Sequence, residues 1–356
     1  MKESYLYQKL VPERKPVASH GASKNRVRCL TCAHQCLILA GQLGICGVRE
    51  NVAGKLFVLN YGRALAAHLD PIEKKPLFHF LPGSQTYSFA AAGCNLRCAN
   101  CQNWEISQAP KEPKISSRQI QAMGFELAPK DIVEEALVQK TPSISYTYTE
   151  PTIFLEYALD TMKLARQKDL KNIWVSNGFM SRETLELIAP YLDAANIDLK
   201  SFDDEFYQKN CGARLQPILD SLKLLKKLGV WLEITTLVIP SLSDSDAMFK
   251  QIAQFIKKEL GEQTPWRISK FSGDISWKLQ NLPETSTEIL KKAYQIGKDA
   301  GLKYVYSGNV PGLDSENTYC PKCNSLNIER LGYRITRHDK KGKCFKCGED
   351  LDLTLS

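Results

Sequence analysis

No apolar run in this chain approaches the roughly 18 residues that a membrane-spanning helix needs, so the sequence predicts no membrane partner. Residues 1–28 are polar and basic and lack the apolar segment of a secretory signal, which makes a cytoplasmic location the expectation. Aromatic residues are not interleaved with basic runs such as Lys340-Lys341-Gly342-Lys343, so no recognisable nucleic-acid-binding motif forms. The net charge of +8 is modest for 356 residues and reads as a solvated surface. With 43% apolar and 24% charged residues, the composition is that of a globular protein. The length allows one large domain with small modules attached.

Cysteine is what the chain has in excess. There are 12, and they cluster: Cys29, Cys32, Cys36 and Cys46; then Cys94, Cys98 and Cys101; a lone Cys211; then Cys320, Cys323, Cys344 and Cys347. Close-spaced thiols without a signal peptide point to metal sites in a reducing compartment, not to a disulfide framework. Cys211 reads as a buried or incidental thiol.

The central cluster is the stretch the rest is organised around. Cys94-x3-Cys98-x2-Cys101 follows an apolar run from Tyr87 to Ala92. Thiolates are soft ligands suited to iron–sulfur clusters, zinc or Cu(I). A [4Fe–4S] cluster ordinarily takes four of them, so three would leave one iron open to a small ligand. A structural site completed by a distant ligand is the competing reading of this spacing.

The N-terminal module carries four cysteines in 18 residues, with glycines at 41, 44 and 47 for tight turns. Cys29, Cys32, Cys36 and Cys46 fit either zinc or an auxiliary iron–sulfur cluster. His34 reads as a supporting or surface group. Residues 55–70 alternate enough to predict a short strand pair, and Asp70-Pro71-Ile72-Glu73-Lys74-Lys75-Pro76 reads as a loop. At the other end, Cys320-x2-Cys323 and Cys344-x2-Cys347 are two knuckles, the spacing of a structural zinc ribbon.

Between these modules strands and helices alternate. Strand-like runs fall at 87–92, 144–148, 173–176, 195–198, 231–238, 267–271 and 304–306. Helical periodicity lies between them at 130–139, 152–167, 181–191, 217–228, 244–260 and 287–300. Such alternation predicts a parallel sheet, and about six units suit a partial barrel better than a closed eightfold one. The expected fold is therefore α/β, a partial (β/α)6 barrel over residues 86–312. A cysteine module over residues 1–85 and a ribbon over 313–356 flank it. Ligands gather where parallel strands end. There the sequence places Cys94–Cys101, Glu150, Ser176-Asn177-Gly178, Asp198-Leu199-Lys200 and Val238-Ile239-Pro240. Singly, Glu150 reads equally well as a helix cap and Asn177-Gly178 as a turn.

Taken in order, these motifs resemble the radical S-adenosylmethionine (radical SAM) enzymes of the pyruvate formate-lyase-activating type, within the branch called the AmmeMemoRadiSam system radical SAM enzyme. The resemblance covers nearly the whole chain. It implies that Cys94, Cys98 and Cys101 hold a catalytic [4Fe–4S] cluster. Glu150 would meet the amino end of SAM, and Asn177, Asp198 and Lys200 would shape its pocket. It further implies a low-potential electron donor of flavodoxin or ferredoxin type and, as one version, a protein substrate. Departures from the family pattern are Asn100 in place of an aromatic residue, Tyr148 and Thr149 in place of two glycines, Val175 in place of an acid, and Arg267 and Ser272 where relatives carry histidines.

Two classes of function follow. In the first, an enzyme cleaves SAM and the 5′-deoxyadenosyl radical takes hydrogen from a substrate: a glycine of a partner protein, a small molecule or another protein side chain. In the second, zinc modules at both ends serve nucleic-acid binding, a reading that leaves Cys94, Cys98 and Cys101 without a role.

Overall fold

The computed structural model describes residues 1–10 and 25–356; much of the basic lead-in lies outside the described residues. The alternating strands are β1 (Gln85–Ala90), β2 (Ser143–Tyr146), β3 (Lys171–Ser176), β4 (Ala194–Asp198), β5 (Trp231–Val238), β6 (Trp266–Lys270) and β7 (Val305–Gly308). The helices between them are α1 (Pro129–Val138), α2 (Leu155–Arg166), α3 (Arg182–Ile188), α4 (Leu215–Lys227), α5 (Asp246–Phe255) and α6 (Thr287–Asp299). The alternation expected from periodicity is thus present element by element. The chain divides into two compact units, residues 1–69, 87–98 and 103–193 in one and residues 70–86, 99–102 and 194–356 in the other.

In the first unit β2 and β3 pair in parallel, with Ser143 opposite Lys171 and Tyr146 opposite Trp174. All four residues of β2 are buried, as expected of a parallel strand covered on both faces. Helix α3 begins where the Ser181 side chain accepts the N–H of Thr184.

The N-terminal cysteines sit in small antiparallel sheets. Arg26–Cys29 pairs with Tyr7–Leu10 on one side and Leu37–Ile38 on the other. The strand pair expected within residues 55–70 takes a different form. Lys55–Val58 pairs back onto Arg49–Val52, not forward. The turn decides this: Ala53 and Gly54 both have positive φ, 53° and 90°, the backbone of a tight hairpin.

A buried ion pair fastens this module to α2. Arg49 Nη2 donates to Glu156 Oε2 at 2.7 Å and Nη1 to Oε1 at 3.0 Å. The Ser4 hydroxyl and the Tyr5 N–H complete the carboxylate's donors. Burial alone would raise the Glu156 carboxyl, but Arg49 holds it below the ordinary range.

In the second unit β4, β5, β6 and β7 run parallel, with Ala194 opposite Trp231, Ile234 opposite Trp266, and Trp266 opposite Val305. Residues 72–74 form a short 3-10 turn where a loop was expected, and Glu73 and Lys75 are buried beside it. Glu233 on β5 organises the segment that follows, accepting the N–H groups of Phe78 and His79 at 2.8 and 2.9 Å. The C-terminal strands Thr318–Tyr319, Leu326–Leu331 and Arg334–Arg337 form an antiparallel sheet. Arg330 anchors it, donating to the Phe78 carbonyl at 2.9 Å and to Thr318 Oγ1 at 2.8 Å.

Candidate functional site

The loop after β1 begins at Gly93, whose φ of +100° few side chains adopt. A Cβ there would stand 2.9 Å from Val48 Cγ1 and 3.0 Å from the Cys46 carbonyl oxygen. The chain can therefore turn into Cys94 only with glycine at this point. The Cys94 sulfur accepts the N–H of Leu96 at 3.4 Å and lies 3.7 Å from Asn177 Nδ2. Burial pushes its thiol well up.

Lys111 faces the same loop. Its Nζ donates to the Leu96 carbonyl at 2.7 Å and to Gln108 Oε1 at 2.8 Å. Burial lowers this ammonium, while the thiols of Cys94, Cys46 and Cys98 act in the opposite sense. One cation thus faces sulfurs of both the N-terminal module and the loop.

Asn177 and Glu150 are brought together with Cys94. Asn177 Nδ2 donates to Asn95 Oδ1 at 2.8 Å, and Asn95 Nδ2 donates to the Phe179 carbonyl at 3.0 Å. Glu150 is fully buried and accepts from Thr152 N at 3.0 Å, Thr152 Oγ1 at 2.5 Å, Ser176 Oγ at 2.8 Å and Asn177 N at 2.9 Å. Burial raises its carboxyl above the ordinary range, against the pull of these donors. It caps the following turn, as its helix-cap reading expected, and also braces the end of β3. Tyr148, where the resembled family carries glycine, holds φ at +65°, the left-handed region that glycine favours. Its carbonyl accepts from Asn103 Nδ2 at 2.8 Å. The substitution keeps the glycine-type backbone.

In the second unit, residues 99–102 are held by two segments that carry no motif. Ala99 N donates to the Asn210 carbonyl at 2.8 Å, and Asn210 Nδ2 donates to Asn100 Oδ1 at 3.0 Å. Trp277 N donates to the Cys101 carbonyl at 3.1 Å and Lys278 N to the Ala99 carbonyl at 2.8 Å. Asn210 lies in a π-helical turn, Tyr207–Cys211, a local geometry frequent at functional sites. Asp198 and Lys200 stand at the end of β4 and pair with each other, Nζ to Oδ2 at 2.6 Å.

Sequence reasoning missed Lys111, Asn210 and the Trp277–Lys278 backbone. The unusual turn before Gly212 was the one local signal available.

The terminal cysteines converge. Cys320 and Cys347 sulfurs are 3.6 Å apart, as are those of Cys323 and Cys344. All four lie within 4.8 Å of one another. Desolvation pulls Cys344 up, but the Ser325 hydroxyl, the backbone around Cys347 and Asn327 bring it down to about 5. The N-terminal cysteines surround a cavity whose lining includes Cys29, Cys32, Cys36 and Cys46. His34 also lines this cavity, with Nε2 2.9 Å from the Asn95 carbonyl and its ring on Phe179. Among the described residues no helix is long and apolar enough to cross a membrane.

A model of the radical SAM superfamily matches residues 90–256. An uncharacterized protein of Methanocaldococcus jannaschii is 43% identical over 360 residues, with 100% of each chain covered. The pyruvate formate-lyase-activating enzyme of Clostridium pasteurianum is 25% identical over 235 residues, covering 61% of this chain and 92% of that one. A crystal structure of a domain of pyruvate-formate lyase-activating enzyme from Bacteroides vulgatus is 19% identical, covers 47% of this chain and 99% of that one, and superposes with a TM-score of 0.41.

Proposed function

Because this chain belongs to the radical SAM superfamily, we propose that it binds a [4Fe–4S] cluster through Cys94, Cys98 and Cys101, with SAM beside it. The donor set fits: three thiols on one short loop, a backbone N–H aimed at the Cys94 sulfur, and a cation facing Cys94 and Cys98. When bound, such a cluster supplies the electron that splits SAM into methionine and a 5′-deoxyadenosyl radical, which takes hydrogen from the substrate.

The rest of the work belongs to the chain. Lys111 offsets the negative charge that three thiolates gather. Asn177 and Asn95 fix the loop that presents Cys94. Glu150 rigidifies the Ser176–Asn177 turn and keeps a carboxylate on the side where the amino end of SAM would lie. Lys200, held by Asp198, offers a cation for the carboxylate end. The π-helical turn and the backbone at Trp277 and Lys278 keep Cys101 in place.

The reading takes the chain as a partial barrel, residues 86–312, with an N-terminal cysteine module, 1–85, and a zinc ribbon, 313–356. Zinc suits the ribbon, because Zn–S bonds of about 2.3 Å in a tetrahedron set sulfurs about 3.8 Å apart. A glycine of a partner protein is the substrate version that the activating-enzyme relatives support.

The observation that carries the reading is the half-buried Cys94 thiol, held beside Asn177 on the loop after β1. The test is anaerobic reconstitution with iron and sulfide, dithionite reduction and assay of 5′-deoxyadenosine from SAM. Turnover in the parent and none in Cys98→Ala is expected. Equal product from both proteins would overturn it.

A further inference from the structure

Cys29, Cys32, Cys36 and Cys46 line one cavity without drawing together as the four ribbon thiols do. Tetrahedral zinc would draw these sulfurs to about 3.8 Å from each other. The ribbon cysteines approach that spacing, at 3.6 Å. Among the described residues, the ribbon is the set of three or more metal-ligating groups drawn within 4.8 Å of one another. An iron–sulfur cluster spaces its thiolates more widely, because the sulfurs are shared out among separate irons.

Two donors on the same cavity wall point the same way. Arg49 and Thr31 both line it and are about 1% exposed. Arg49 Nε and Thr31 Oγ1 are buried polar atoms without a hydrogen-bond partner. The other nitrogens of Arg49 are committed to Glu156, Ser4 and the Ile153 carbonyl. Leaving a buried donor unsatisfied costs about 1–3 kcal/mol, so two on one cavity call for acceptors inside it. Cluster sulfide and cysteine thiolate are such acceptors, and hydrogen bonds to cluster sulfur are a recognised tuning element. Ile38, Ile45 and Ile153 supply an apolar remainder to the wall.

We propose that Cys29, Cys32, Cys36 and Cys46 hold a second iron–sulfur cluster, with Arg49 and Thr31 donating to its sulfur atoms. This cluster would lie against the loop of the first. The Cys46 carbonyl abuts Gly93, and Cys32 bridges Met180 just after the Asn177 turn. The two clusters would therefore feel each other's charge; this coupling, unlike the site itself, rests on the function proposed above.

The test is metal and sulfide analysis of three reconstituted proteins, with electron paramagnetic resonance of the reduced samples. The variant in which Cys94, Cys98 and Cys101 are all alanine should stay brown and retain about two to four irons with matching sulfide, as four-thiolate clusters do. Cys29→Ser combined with Cys46→Ser should lose that share and keep the other. The reduced parent should show signals broadened by a neighbouring spin, and each variant a simple one. A colourless triple-alanine variant with two zincs per chain would overturn the proposal. So would a parent with about four irons in total, a count that decides even if a variant fails to fold. Iron equal in the parent and the triple-alanine variant would sink the function proposed for Cys94, Cys98 and Cys101 and leave the second cluster standing.

Discussion

The sulfurs of Cys320 and Cys347 meet at 3.6 Å, whereas Cys29, Cys32, Cys36 and Cys46 stand apart around the wall of a cavity. Each set offers four thiols. The difference lies in what carries them. In the C-terminal module each Cys-x2-Cys is a knuckle closed by its own backbone: Asn324 N donates to the Cys320 carbonyl at 3.0 Å and Gly348 N to that of Cys344 at 2.9 Å. Two like knuckles joined through a hairpin converge on one point. In the N-terminal module Cys29 ends a strand, Cys36 faces it across a Cys29 N–H to Cys36 carbonyl bond of 2.9 Å, and Cys46 arrives on a separate turn. Donors that come from different walls enclose a volume. Cysteine count alone therefore does not choose the metal; the backbone that spaces the thiols does.

Breaking the ribbon should give the largest effect. With zinc in the ribbon as proposed, Cys344→Ala would open its tetrahedron, and structural zinc supplies apparent folding energy of about 10–16 kcal/mol to small modules. We expect loss of one zinc per chain and rapid hydrogen exchange over residues 320–347, with iron content unchanged. Iron falling together with zinc would mean that the two modules are not independent. The next effect separates the two buried arginines. Arg49→Met strands the Glu156 carboxylate and should cost about 3–5 kcal/mol in denaturant unfolding. Arg330→Met removes hydrogen bonds to the Phe78 and Glu316 carbonyls and Thr318 Oγ1, with no carboxylate in direct contact to strand, and should cost about 1–3 kcal/mol. The reverse order would contradict the view that the N-terminal module is fastened by charge and the ribbon by hydrogen bonds.

Much of this architecture was legible in the sequence, because parallel strands buried on both faces leave unbroken apolar runs. Ile144 and Tyr146 on β2, and Ile173 and Trp174 on β3, are of that kind. The knuckles were legible because their ligands are local. What escaped was set by contacts distant in sequence. Arg49 and Glu156 lie 107 positions apart and carry no joint signature. The hold on residues 99–102 comes from Asn210 and from the backbone at Trp277 and Lys278, where side-chain identity leaves no mark. The pairing of Lys55–Val58 turned on two backbone angles at Ala53 and Gly54 that an alternating pattern does not encode. Tyr148 taught the converse: a missing glycine did not mean a missing turn.

The smallest expected effect concerns His79, beside the C-terminal segment. Its ring is buried, with Nδ1 3.2 Å from the Asp352 carbonyl and Nε2 2.6 Å from the Tyr306 hydroxyl. Burial, reinforced by Arg330, lowers its pKa to about 3 from the ordinary 6.5. A folded-state pKa below the unfolded value means the unfolded chain takes up the proton first. The stabilisation is therefore full above pH 6.5 and is lost as pH falls from there toward 3. Between pH 7 and pH 5 the folded ring stays neutral, so the loss depends on the unfolded value alone and comes to about 2 kcal/mol. His79→Gln removes this titration while leaving other groups in place. Unfolding free energies of parent and variant should converge by that amount over the interval, and parallel curves would show that His79 titrates in the fold as it does in the unfolded chain. The N-terminal ion pair predicts no such slope there, because Glu156, held low by Arg49, stays ionised throughout. Acid should therefore loosen the C-terminal side of the protein before the N-terminal one.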